Sequence, residues 1–264
     1  MQLFIPRKEF TTMLKILSIG NSFSQDAHRY LTRFAKAAGV DIMTRNLEIG
    51  GCSLEQHWNY FKNDDKNYAL EIDGVWKANE YTLTQGLMED DWDIITIQQV
   101  SHLAGKPETF EPYLPNILTA IRALCPNARL YFQETWEYEI GSNHGGFPEY
   151  GCDPNAMFER VKNTCRAKAK ENDLLIIPSG EAIHAAKQLP EFDPAKGGQS
   201  LYRDAFHMHL VYGRYLLACV WFKTLLGRTP VGNNFMPDDV KEGETVNTDL
   251  LVKLQKIGGA YYEA

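Results

Sequence analysis

The sequence predicts an α/β fold, a three-layer α/β/α sandwich around a five-stranded parallel sheet. Short β-branched runs alternate with longer stretches of helical apolar periodicity, the pattern of strands joined by crossover helices. Strands alternating with helices imply a parallel sheet with helices on both faces. No internal repeat and no Ser/Gly linker divides the 264 residues.

Leu14-Lys-Ile-Leu-Ser-Ile19 reads as a buried strand ending at Gly20. A helix follows, with Tyr30, Leu31, Phe34, Ala35 and Ala38 on one face and Gly39 as its stop. Asp41 to Ile49 is a second strand, closed by Gly50-Gly51. Ser53 and Gln56 have capping-box spacing and open a helix through Phe61. Asp93 to Gln98 is the third strand, Pro112 to Leu124 a helix, and Ala128 to Gln133 the fourth strand. Ala156 to Lys170 is helical, and Asp173 to Ile177 is the fifth strand, stopped by Pro178. Leu210 to Leu226 reads as a long amphipathic helix, and a last helix covers Thr248 to Tyr261. Two segments break the alternation, residues 63–91 and the Gly/Pro-rich 141–154; loops this long in such folds often carry function. The domain reading is a leader over 1–13 and a single domain over 14–264 with insertions at those two places.

Composition narrows the function classes. Apolar residues make up 44% and charged residues 23%, ordinary globular usage. Lysine and arginine number 27 against 34 acidic residues, a net charge of −7. That balance lacks the basic footprint of a nucleic-acid binder and the polybasic run of an anionic-membrane binder. No apolar run is long enough to span a bilayer, and Met13 to Ile19 is interrupted by Lys15. The expectation is a cytoplasmic protein whose oligomeric state is left open. The five cysteines are scattered, with no CxxC pair for zinc and no disulfide framework, so no cofactor is expected.

In an open parallel sheet of the flavodoxin-like order 2-1-3-4-5, ligands bind beyond the strand ends where the order reverses, between strands one and three. The residues leaving those strands are Gly20-Asn21-Ser22-Phe23-Ser24 and Gln98-Gln99-Val100-Ser101. Ser22 then stands at a strand-to-helix turn beside free helix amides, which stabilise an oxyanion. The competing reading is that Ser22 or Ser24 only caps the helix.

A serine nucleophile needs a base, and the base an orienting group. Of the seven histidines, His28 reads as surface, beside Arg29 and Arg33; His57 as surface or pocket; His102 and His144 as loop residues; and His184 as helical. The distinctive segment is Tyr202-Arg-Asp204-Ala-Phe-His207-Met-His209, in which a carboxylate three residues before an imidazole can fix its tautomer. Cys52, with His57 five residues on, reads as a small buried thiol rather than a nucleophile.

Ile19-Gly-Asn-Ser22-Phe-Ser24 near the start, and Asp204-x-x-His207 followed by Gly213-Arg-Tyr near the end, resemble an SGNH/GDSL-type hydrolase. More narrowly they resemble a bacterial Gly-Asn-Ser-Phe subgroup of unknown function. The resemblance implies Ser22 as nucleophile, His207 as base and Asp204 as its orienting partner. It implies an oxyanion hole from the amides of Ser22 and Gly51 and the side chain of Gln98, with Gln99 as fallback. The third block departs from the superfamily: Gln98-Gln99-Val-Ser101 stands where Gly-x-Asn-Asp is usual. Asn21 stands where Asp is usual and is expected to support the turn.

The expected activity is a serine esterase removing a short acyl group, such as acetyl, from a small-molecule or carbohydrate ester. Gln99 and Ser101 are candidate substrate-binding residues, as is Trp136, whose ring either stacks on a sugar face or roofs the core. Trp136, Asn143, His144 and Tyr150 favour a polar, sugar-like ligand. Two alternatives stand beside this reading: a metal-dependent hydrolase using Asp204, His207 and His209, and a non-catalytic carbohydrate-binding relative.

Overall fold

The computed structural model describes residues 13–243 and 245–260. The leader expected over 1–13 lies outside the described residues except for Met13, as does the end of the last helix at Tyr261.

Strand β1 (Leu14–Gly20) forms the centre of the sheet and pairs in parallel with β2 (Ile42–Glu48). Between them runs α1 (Ser22–Ala37), whose apolar positions Phe23, Ala27, Tyr30, Leu31 and Phe34 are buried. Helix α2 (Leu54–Asn63) follows β2 and starts with the expected capping box between Ser53 and Gln56.

The chain then makes β3 (Tyr68–Ile72), β4 (Val75–Tyr81) and the short α3 (Leu83–Met88). The central fold resumes with β5 (Ile94–Ile97), α4 (Tyr113–Leu124), β6 (Arg129–Gln133), α5 (Pro154–Glu171) and β7 (Leu175–Ile177). Helices α6 (Ser179–Lys187), α7 (Tyr212–Leu226) and α8 (Thr248–Ala260) complete it.

The sheet corrects the five-stranded, all-parallel expectation. It has seven strands in the order β4-β3-β2-β1-β5-β6-β7 and is mixed. The five parallel strands lie in the expected order, and β3 and β4 add an antiparallel hairpin beyond β2. The cause lies in the excursion over 63–91. Asp73 and Gly74 both take positive φ, 52° and 73°. Positive φ at both central residues is the type I′ turn that matches strand twist, and Asp-Gly is one of its preferred pairs. Gly74 is also closely packed: a Cβ there would stand 2.6 Å from His28 O.

Parallel crossovers are right-handed, so α1, leading toward β2, covers one face, and α4 and α5, leading the other way, cover the opposite face. Helix α7 packs between α1 and α8. It is therefore buried nearly all round, from Tyr215 through Phe222 without a break, and is not the amphipathic surface helix its sequence suggests. His28 corrects a second expectation: it is 1% exposed. On α1 it shares the face of Ser24, Leu31 and Ala35, three to seven residues away, while Arg29 and Arg33 lie on the next face round.

All five parallel strands present their C-terminal ends to one edge. The segments leaving that edge are Asn21-Ser22 after β1, Gly50-Gly51 after β2, Gln98-Gln99 after β5 and Glu134 to Tyr138 after β6.

Candidate active site

Ser22 is the first residue of α1, and Asn21 is its N-cap. The Asn21 side chain is 1% exposed and ties three segments together. Its Oδ1 accepts from the Phe23 amide at 3.0 Å and from Gln98 Nε2 at 2.8 Å, while its Nδ2 donates to Cys52 O at 3.2 Å. The helix start, the Gly-Gly-Cys turn and the exit of β5 are thus fixed relative to one another. Gly20, just before, leaves room for Ser24: a Cβ on it would stand 2.4 Å from Ser24 Oγ. Ser24 Oγ itself is buried, donating to Asn21 O (2.7 Å) and bonded to Asn46 Oδ1 (2.8 Å).

Ser22 Oγ stands 2.8 Å from His207 Nε2, and His207 Nδ1 stands 2.7 Å from Asp204 Oδ2. An ionised carboxylate only accepts, so Nδ1 carries the proton and Nε2 is left to accept from the serine hydroxyl. Asp204 Oδ1 accepts the His207 amide at 2.8 Å and the Phe206 amide at 3.3 Å, closing a tight turn in which Ala205 takes φ 68°. Burial raises the Asp204 carboxyl, but the hydrogen bonds and charge of His207 outweigh it and hold the group below its ordinary value.

Gly50 and Gly51 form a turn closed by Cys52 N–H to Ile49 O at 3.1 Å. Gly51 has φ 66°, and a Cβ there would meet nothing within 4 Å. Among the described residues, no acceptor bonds the amide of Gly51 or of Ser22. Ser22 heads its helix, where backbone N–H groups have no intrahelical partner.

The structure gives five of the residues singled out from sequence other partners. Gln98 gives its Nε2 to Asn21, so that hydrogen supports the turn. Gln99 is fully buried and saturated: Oε1 accepts from the Leu54 and Val100 amides, and Nε2 donates to Thr109 O and Oγ1. Ser101 Oγ bonds Tyr138 Oη at 2.7 Å. Trp136 is 0% exposed, stacks on Phe23 at 4.1 Å and donates Nε1–H to Phe206 O. It supports the His207 loop from beneath and has no free face for a ligand. Tyr150 is also buried, bonding Gly105 N and His102 O.

The half-exposed rings beside the serine are others. Phe206 lies 4.2 Å from the His207 ring, His144 lies 5.1 Å from Phe206, and His102 lies 5.4 Å from His144. Burial lowers His102 and His144 below the ordinary imidazole value, keeping both rings neutral near pH 7. Phe206 carries no sequence signal beyond its place between Asp204 and His207, whereas His144 stands out in the sequence as a loop residue among those that favour a polar, sugar-like ligand.

Cys52 is buried, and burial, with Glu48 adding to it, pushes its thiol up to about 12. His57, pushed down to about 3 by burial, bonds Tyr68 Oη at 2.8 Å. The pair is structural. His209 does not join Asp204 and His207 around an ion: its Nδ1 accepts from the Val211 and Tyr212 amides at the start of α7. Among the described residues, no group of three or more His, Cys, Asp or Glu could hold a metal. Nor is any helix among them long and apolar enough to cross a membrane.

The sequence profile of the family described as "Domain of unknown function (DUF4886)" matches residues 15–249. The chain belongs to the DUF4886 family. The crystal structure of a DUF4886 protein from Bacteroides uniformis is similar at 31% identity over 94% of each chain, with a TM-score of 0.84. Beyond DUF4886, the fold is shared with SGNH/GDSL-type hydrolases. A proposed SGNH hydrolase from Slackia heliotrinireducens is 20% identical over 81% of this chain and 100% of its own, TM-score 0.56. A lipase/acylhydrolase from Enterococcus faecalis is 14% identical over 86% and 100%, TM-score 0.54. No protein with a curated description matches the sequence.

Proposed function

We propose that this DUF4886 protein is a serine esterase that removes a short acyl group, such as acetyl, from a small-molecule or carbohydrate ester. The observation that carries the reading is the line Ser22 Oγ, His207 Nε2, His207 Nδ1, Asp204 Oδ2, with steps of 2.8 and 2.7 Å. In this reading His207 takes the Ser22 proton as the hydroxyl attacks the ester carbonyl, then returns it to the leaving alcohol. Asp204 orients the imidazole and faces the positive charge it acquires. The free amides of Ser22 and Gly51 hold the oxyanion, at a helix N-terminus whose dipole favours negative charge.

Gln98 enters as support for Asn21, since one of its amide hydrogens is already committed there. The half-exposed Phe206 and His144 offer flat, neutral ring surface next to the reacting centre, which suits a sugar ring or another compact alcohol.

The test is a panel of p-nitrophenyl esters from acetate to octanoate beside acetylated sugars, with labelling of Ser22 by a fluorophosphonate. Turnover of the short esters and labelling at Ser22 are expected. Binding of acetylated sugars without turnover or labelling would favour the non-catalytic alternative.

A further inference from the structure

A fully buried carboxylate, Asp26, lies one helical turn beyond Ser22 on α1 and takes no part in the chemistry proposed above. Its partners bracket the loop that presents His207. Oδ2 accepts the Met208 amide at 2.9 Å, and Arg203 Nη1 reaches Oδ1 at 2.8 Å and Oδ2 at 3.0 Å. Arg203 Nη1 also donates to Met208 O, and the Arg203 amide donates to His207 O at 3.0 Å. Residues 203 and 208 thus form the closed neck of the loop that carries Asp204 and His207. Arg214 on α7 adds a third donor, Nε to Asp26 Oδ1 at 2.8 Å, and is itself held by Asp239 at 3.0 Å.

We propose that Asp26 is a positioning residue that sets the distance between His207 and Ser22. The inference rests on the reading of those two residues as base and nucleophile.

The bonds that orient His207 toward Asp204 are local, three residues apart, and would survive if the whole loop shifted. They cannot fix where the loop stands relative to α1. Trp136 Nε1–H to Phe206 O, and the Glu139 amide to Ala205 O, fasten the loop to the segment after β6, not to the helix. From α1, the polar contacts to residues 203–208 come from Ser22 and Asp26.

Asp26 therefore spans the seam between the two halves of the pair. A buried carboxylate receiving two guanidiniums and an amide is strongly held, because charge-assisted bonds are short and an unpaired partner would be costly there. The serine and its tether share one rigid helix, so a displacement of the neck is passed to the Ser22–His207 distance.

The experiment compares wild type, Asp26→Asn, Arg203→Gln and Ser22→Ala with two readouts. Side-chain 15N NMR of histidine-labelled protein reads the His207 Nε2 hydrogen bond, with Ser22→Ala as the reference for its loss, and reads the Nδ1–H bond to Asp204 separately. Ester hydrolysis gives kcat and KM. In Asp26→Asn the Nε2 signal should move to that of Ser22→Ala while the Nδ1–H bond persists. Its kcat should fall ~10²-fold with KM within about threefold, the scale of a misplacement near 1 Å. Arg203→Gln, which leaves the Met208 and Arg214 donors in place, should fall between wild type and Asp26→Asn in both readouts.

A wild-type Nε2 signal in Asp26→Asn overturns the proposal, as does loss of both His207 bonds together. If Asp26→Asn does not fold, Arg203→Gln decides, and wild-type values of both its Nε2 signal and its kcat overturn the proposal. A wild type that hydrolyses no ester and leaves Ser22 unlabelled sinks the esterase reading, while the NMR arm still decides what Asp26 does.

Discussion

His207 Nε2 lies 2.8 Å from Ser22 Oγ although 185 residues separate them in the chain. Both stand at the edge where β1 lies between β2 and β5, the point of the parallel sheet at which the strand order reverses. The helix leaving β1 brings the serine, and the loop before α7 brings the histidine back across the same edge.

Ser22→Ala and His207→Ala should each abolish ester hydrolysis without loss of folding, since neither side chain is in the core. The double variant should be no worse than either single one, because the two act as a unit. Measured kcat/KM values that fall additively would mean separate roles.

His28 and His57 set an acid limit on stability. Burial pushes both down to about 3 from an ordinary 6.5. Below pH 6.5 the unfolded chain binds protons that the folded imidazoles refuse, so stability falls with pH between 6.5 and 3. Each group contributes a slope of about 1.4 kcal/mol per pH unit within that window. Glu134, raised by burial to about 8 from 4.5, works in the opposite direction between those values. The informative quantity is therefore the difference between a variant and wild type. His28→Gln, which can keep a bond to Ser18 Oγ, should flatten the slope of urea-unfolding free energy between pH 6.5 and 5. An unchanged slope would mean that His28 is protonated in the folded protein.

Much of this arrangement was legible in the residues. β-branched runs and helix stops locate the five parallel strands, because each is a local pattern with a fixed period; their order follows from the fold class, not from any local pattern. Asp204 and His207 sit close enough in sequence for one turn to join them. The hairpin is not legible in the sequence because Tyr68 to Tyr81 alternates poorly: on edge strand β4, Val75 and Trp76 are both exposed, so the pattern carries no buried face. Gln98, Gln99 and Trp136 all leave the sheet at this edge, but whether such a side chain meets ligand or neighbouring groups depends on contacts across 10 to 77 residues, which local periodicity does not encode.

Two glycines beside the serine should respond differently. Gly20→Ala brings a Cβ within 2.4 Å of Ser24 Oγ and 2.8 Å of its Cβ, at the start of the helix that carries Ser22. It should cost about 1–3 kcal/mol by thermal or urea unfolding and slow fluorophosphonate labelling, and Ser24→Gly beside it should recover part of both. Gly51→Ala meets no atom and keeps its amide, so its cost should be the left-handed backbone alone, about 1–2 kcal/mol. If Gly51→Ala is the more damaging of the two to labelling, substrate or a moving loop fills the space that is open here.

The last prediction separates support of the turn from donation to the oxyanion. Asn21 caps α1, holds the Cys52 carbonyl and accepts from Gln98, so Asn21→Ala loosens both free amides at once. It should lower kcat by ~10²-fold, the loss expected when oxyanion donors are disturbed. Gln98→Ala removes only one bond to Asn21 and leaves the cap in place, so its loss should be smaller, ~10-fold. The double variant should match Asn21→Ala, since residues in one hydrogen-bond chain are not additive. KM should stay within a few-fold throughout, because an oxyanion contact acts on the transition state rather than on bound substrate. A Gln98→Ala loss as large as that of Asn21→Ala, and multiplicative with it, would return the donor role to the Gln98 amide. A silent Gln98→Ala would leave the N-cap geometry of Asn21 sufficient without it.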